Sequence, residues 1–148
     1  MRRYTQALCI IATLVSATAC DENLSTIAGP TPDLEPTFAS IQQFVFEAPD
    51  SAGRRACTSC HTNVGRTPAG GMNLLHDVAY ANIVNVSSTQ RPGVLRVVPG
   101  DPDASYIVHK VEGTPGIVGL RMPFIAPYLS DGQILILRRW IALGAPRD

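Results

Sequence analysis

Cys57-Thr58-Ser59-Cys60-His61 is a C-x-x-C-H run, the spacing by which a polypeptide attaches a c-type haem. Two thiols must reach the two vinyl groups on one edge of a flat macrocycle. Two intervening residues allow that within one turn of chain, and the next residue then offers its imidazole to the iron. Other chemistries suit the run less well. A zinc site needs four ligands, of which Cys57 and Cys60 supply two. His76 and His109 lie far apart, unlike the close histidine pair of a finger. A thioredoxin-like redox pair stands beside a βαβ pattern, which this sequence lacks. A disulfide closed across two residues is strained.

Upstream, the chain begins Met1-Arg2-Arg3, continues with an apolar run over residues 7–15, and then reads Ser16-Ala17-Thr18-Ala19-Cys20. A basic start, a short apolar stretch and small residues make a signal peptide over residues 1–19. The apolar run is too short to cross a bilayer of about 30 Å as a helix. Ala17-Thr18-Ala19-Cys20 resembles a bacterial lipobox, although Ala17 stands where Leu is usual. Ordinary A-x-A cleavage is the alternative, but it leaves a free thiol at the first position of an exported protein. The favoured expectation is lipid on Cys20. Cys9 leaves with the signal peptide, so only Cys57 and Cys60 remain for the folded part, and no disulfide framework is expected. An export signal strengthens the haem reading, because c-type haem is attached outside the cytoplasm.

Composition excludes other classes. The 148 residues suit one domain. Without Arg2 and Arg3 the 12 basic residues become 10, against 12 acidic ones, with Lys almost absent. No polybasic patch for nucleic acid is present. Neither a Ser-His-Asp set, nor paired carboxylates, nor a phosphate loop suggests an enzyme.

Residues 20–36 hold Cys20 and then a polar stretch with Pro30, Pro32 and Pro36, read as a disordered tether. The domain is expected over residues 37–148. A first helix is predicted over 38–47, with Phe38, Ile41, Val45 and either Phe44 or Phe46 on one face, ending before Pro49. A second is predicted over 76–86, weakened by its β-branched tail. Asp101-Pro102 is expected to open a third, running to about Val111 and stopping at Gly113. Residues 113–128, rich in Gly and Pro, must be irregular. The last helix is the best signalled: Ser130 with Gln133 makes a capping box, Ile134, Leu137 and Ile141 form a stripe, and Gly144 and Pro146 stop it.

A haem in electron transfer usually takes a second axial ligand, and Met raises its potential. Met122, in Arg121-Met122-Pro123, sits in the irregular segment before the last helix, where a side chain can be laid over the far face of a haem. The other methionine after the signal peptide, Met72, stands only eleven residues past His61. His76, His109, an open or other sixth position, or Met122 as simple core filler are the alternatives. Tyr106 and Trp140 are candidate haem neighbours, with ordinary core the favoured reading of both. Arg121 is a candidate for a haem propionate or an ordinary solvated side chain.

The order of helix, C-x-x-C-H, helices, Met122-Pro123 loop and closing helix with Trp140 resembles class I cytochrome c. Residues 79–86, 99–106, 121–123 and 129–145 are similar to small haem domains of exported planctomycete and myxobacterial proteins. The likeness covers about residues 38–147, with Phe124-Ile125-Ala126 standing where such domains often carry a Pro/Gly string. The resemblance implies a mainly α, cytochrome c-like single domain of four to five helices with long Gly/Pro loops around one covalent haem c. It implies Cys57 and Cys60 as attachment points, His61 and Met122 as axial ligands, and a first helix packed across the last. The expected function is one-electron transfer between a donor and an acceptor redox protein in the periplasm or cell envelope, on a membrane through the lipid anchor. A haem enzyme or sensor with an open sixth position, or a haem module of a larger oxidase or dehydrogenase complex, is the alternative.

Overall fold

The structure, a computed structural model, describes residues 33–148. The expected signal peptide, Cys20 and most of the tether lie outside the described residues. The architecture is mainly α: four α-helices and no β-sheet among the described residues. Helix α1 is Phe38–Ile41 and runs directly into a wider π-helical turn, Gln42–Glu47; α2 is Ala79–Ile83, α3 is Tyr106–Glu112 and α4 is Asp131–Ala142. Two short 3₁₀ turns, Cys57–Ser59 and Ala69–Gly71, punctuate the long connection between α1 and α2.

The outer helices match their expected bounds because their local signals are complete. Thr37 caps α1, its hydroxyl accepting from the Ser40 N–H, and Asp148 accepts the Phe38 N–H at 2.7 Å. Phe38, Ile41, Gln42, Val45 and Phe46 are buried, one helical stripe, so Phe46 rather than Phe44 completes the face. The capping box of α4 forms as expected, with the Gln133 N–H donating to Ser130 Oγ and the Ser130 N–H donating to Gln133 Oε1. Ile134, Leu137 and Ile141 are buried with Trp140, which is the largest fully buried side chain. Helix α4 packs along α3 and reaches α1 through Trp140, whose ring lies 5.6 Å from that of Phe38. The Trp140 Nε1–H donates to the Pro146 carbonyl, so the polar edge of the ring is satisfied.

The inner helices are shorter than expected. Residues 76–78 form a turn before α2, and Val84 leaves it to pair with Val97. The β-branched tail prefers that extended geometry. Asp101-Pro102 opens a turn and not α3: Asp101 Oδ1 accepts the Ala104 N–H, and the Ser105 hydroxyl donates back to the Asp101 carbonyl. These local side-chain bonds compete with the helix and delay it to Tyr106. Helix α3 stops as expected at Gly113, in left-handed conformation at φ 74°; a Cβ there would meet Arg121 Cδ at 2.8 Å. At the other end of the domain, Leu34 is buried in the core, so packing reaches back before Thr37.

Candidate functional site

The C-x-x-C-H run opens on the 3₁₀ turn Cys57–Ser59, in which the Cys60 and His61 N–H groups both donate to the Cys57 carbonyl. Residues 69–74 clasp it: the Ala69 N–H donates to the Cys60 carbonyl and the Leu74 N–H to the His61 carbonyl. Both cysteines are free thiols, Cys57 half-buried and Cys60 exposed. The Cys57 thiol donates to the Val45 carbonyl, and burial pushes its pKa up although Arg54 opposes the rise.

Arg54 explains how this turn is held. It is fully buried and pairs with Asp50 at 2.9 Å. Its remaining N–H groups donate to the carbonyls of Phe44, Val45, Ala48 and Arg55. Three of these carbonyls belong to the end of the π-helical turn or the residue after it, where a helix leaves acceptors unsatisfied. One side chain therefore joins the end of the first helix to the residues entering the thiol turn.

His61 has a defined tautomer. Its Nδ1 lies 2.8 Å from the Ala69 carbonyl, which can only accept, so Nδ1 carries the proton and Nε2 is left with a bare lone pair. Burial lowers its pKa, the nearby charges of Arg96 and Lys110 lower it further, and hydrogen bonds to the Ala69 and Met72 backbone only partly oppose this. Burial thus favours the neutral imidazole, oriented by a backbone carbonyl as metal-binding histidines commonly are.

His61 borders two adjoining clefts. The larger holds about 870 Å³ of space between the atoms, part of it open to solvent, and the smaller about 560 Å³. Cys57, His61, Val111, Met122 and Leu129 wall both, and Cys60 walls the smaller. The lining is overwhelmingly apolar.

Helix α3 positions Met122. The Met122 N–H donates to the Lys110 carbonyl at 2.7 Å. Lys110 Nζ donates to the carbonyls of Val118 and Leu120, the Tyr106 hydroxyl accepts the Val118 N–H, and Arg121 Nε donates to the Val111 carbonyl. An irregular segment with no ladder of its own is thus pinned along one helix. Met72 also borders the larger cleft but not the smaller.

The other candidates divide. Tyr106 is part of the wall of the larger cleft. Trp140 borders neither cleft and is core. Arg121 borders neither; its guanidinium lies 4.2 Å over the Tyr128 ring. His76 is largely exposed near Glu47, and the His109 ring is bound to the Asp103 carbonyl, so neither histidine borders a cleft. Arg54, Arg96 and Lys110 were not singled out by sequence reasoning. Two signals were available: Arg54 stands four residues after Asp50, and Lys110 is the only lysine in the chain.

The donor set fits a haem. Two thiols stand beside one imidazole whose Nε2 is bare, a thioether borders the same clefts, and the walls are apolar. Among the described residues, no three His, Cys, Asp or Glu side chains come together as a metal-ion cluster. Comparison with family models, curated proteins and solved structures finds no match to the chain.

Proposed function

We propose that the protein is a mono-haem electron carrier of the cytochrome c type, with the haem bonded through Cys57 and Cys60 and ligated by His61 and Met122. The observation that carries this reading is the bare Nε2 of His61, fixed by the Ala69 carbonyl beside clefts that Cys57, Cys60 and Met122 also wall. When bound, the haem supplies the one-electron redox step. The chain supplies the rest: α3 holds the Met122 segment, apolar walls exclude water, and the Ala69 carbonyl keeps the imidazole in its ligating tautomer. Phe124 and Ile125 are exposed on the wall of the smaller cleft and offer an apolar rim for a redox partner. The direct experiment is an absorption spectrum of protein exported with a cytochrome c maturation system. A six-coordinate, low-spin reduced haem is expected; protein carrying no haem overturns the proposal.

Met122→Ala should abolish the weak long-wavelength band of iron–methionine bonding and lower the midpoint potential. An unchanged band in that variant, with its loss in Met72→Ala, assigns the ligand to Met72 instead.

The exported, lipid-anchored state is part of the same proposal and rests on the sequence around Cys20. One acyl chain binds a membrane only marginally, at about 0.8 kcal/mol per buried CH₂, whereas several chains anchor stably. Cys20→Ser should release soluble protein with an unchanged haem spectrum. Mass spectrometry of the N-terminal peptide decides it: an unmodified Cys20 in the native host sinks the anchor.

A further inference from the structure

Arg96 and Lys110 are only 6% and 7% exposed, and both border the larger cleft. Among the described residues neither has a carboxylate partner. Arg96 donates to the carbonyls of Asn82, Gly70 and Gly71, leaving two of its five N–H groups without an acceptor. Lys110 donates to Val118 and Leu120, leaving one of three. Gly70 and Gly71 both adopt positive φ, at 60° and 61°, the conformation in which their carbonyls meet Arg96. Arg96 is therefore held by carbonyls from two separate segments, residues 70–71 and Asn82.

Carbonyl dipoles hold these cations in place but do not neutralise them. Burying a charge is costly unless a counter-charge comes with it. The contrast within this chain is direct. Buried Arg54 has Asp50, and Arg138 has both Asp103 and Glu112, while the two cations on the cleft have no carboxylate among the described residues. An apolar cleft with two unneutralised cations beside a ligating imidazole suits an amphiphilic ligand that carries two negative charges of its own.

We infer that Arg96 and Lys110 are the seat of the two propionate carboxylates of the haem, drawn into the fold as the missing counter-ions. The inference rests on the haem reading and deepens it. It moves the propionate role from Arg121, which is engaged on Tyr128 and Val111, to two residues on the cleft itself. Since reduction lowers the charge of the haem by one, buried cations beside it favour the reduced form, so they also set the potential.

The test begins with haem staining of wild-type protein after denaturing electrophoresis. A negative stain removes the haem reading, and this inference falls with it. With the stain positive, the midpoint potentials of wild type, Lys110→Arg, Lys110→Met and Arg96→Gln are compared at neutral pH. Potentials that fall in the two neutral substitutions and hold in Lys110→Arg support the seat. Equal potentials in all four overturn it while leaving the haem in place. A structure of the loaded wild-type protein needs no variant to fold. Propionate oxygens within ion-pair distance of Arg96 and Lys110 are expected, and propionates directed to solvent, away from both, overturn the assignment.

Discussion

Replacing Cys57 and Cys60 together by Ala is expected to remove all haem that survives denaturing electrophoresis. The loss should be complete, because only these two cysteines follow Cys20 in the chain. The fold should suffer little by comparison. Cys60 is exposed, and a surface change of this kind costs within about 0.5 kcal/mol. Cys57 gives up a weak thiol bond to the Val45 carbonyl and a longer one from the Arg54 guanidinium. The single variants should differ from the double one, since either remaining thiol can form one thioether. Cys60→Ala and Cys57→Ala should each retain stainable haem through the other. Denaturing gels stained for haem, with circular dichroism as the control for folding, read both effects. Full staining of the double variant would show that the attachment lies elsewhere.

Arg54→Met is expected to destabilise the domain by about 3–5 kcal/mol, the cost of leaving a buried partner charge uncompensated. That is a large share of the roughly 5–15 kcal/mol that holds an ordinary domain together. The substitution strands Asp50, whose side chain is 2% exposed, and strips acceptors at the end of the first helix of their donor. Adding Asp50→Leu to the variant should recover part of the loss, because the stranded charge is then gone. Urea unfolding of the single and double variants measures both.

Acid provides an independent check on the same pair. Burial by itself would raise the Asp50 pKa, but the bonds and charge from Arg54 outweigh it and hold the carboxyl below its ordinary value. A carboxylate with a depressed folded pKa contributes stability that is fully present above its unfolded value of about 3.9. That contribution is lost as pH falls through the lower folded value. Asp50→Asn should therefore narrow the gap in urea midpoint between neutral pH and pH below about 4. An equal acid-induced drop in wild type and Asp50→Asn would remove the pair from the account.

The sequence by itself determined the elements whose signals are local. Ser130 and Gln133 form the capping box where it was expected, since a cap needs only residues within one turn. The apolar stripes of the first and last helices recur at helical spacing, and that spacing alone decides which face is buried. The same holds for the C-x-x-C-H turn, complete within five residues, and for the irregularity of residues 113–128, imposed by Gly and Pro.

Tertiary structure decided everything that depends on partners distant in the chain. Whether residues 84–86 continue a helix or pair with Val97 depends on what lies opposite, and Val97 lies opposite. Asp101-Pro102 carries a helix-start signal, but the Ser105 hydroxyl, bonded to Val98 and Asp101, closes a turn first. The tautomer of His61 is set by a carbonyl eight residues on. Above all, a charged residue read from sequence is a surface residue by default. Asp50 four residues before Arg54 and the singularity of Lys110 were faint signals, and nothing local marks Arg96 as buried where Arg55 is exposed. The carbonyls that receive Arg54, Arg96 and Lys110 come from separate segments, and only folding brings them to one place.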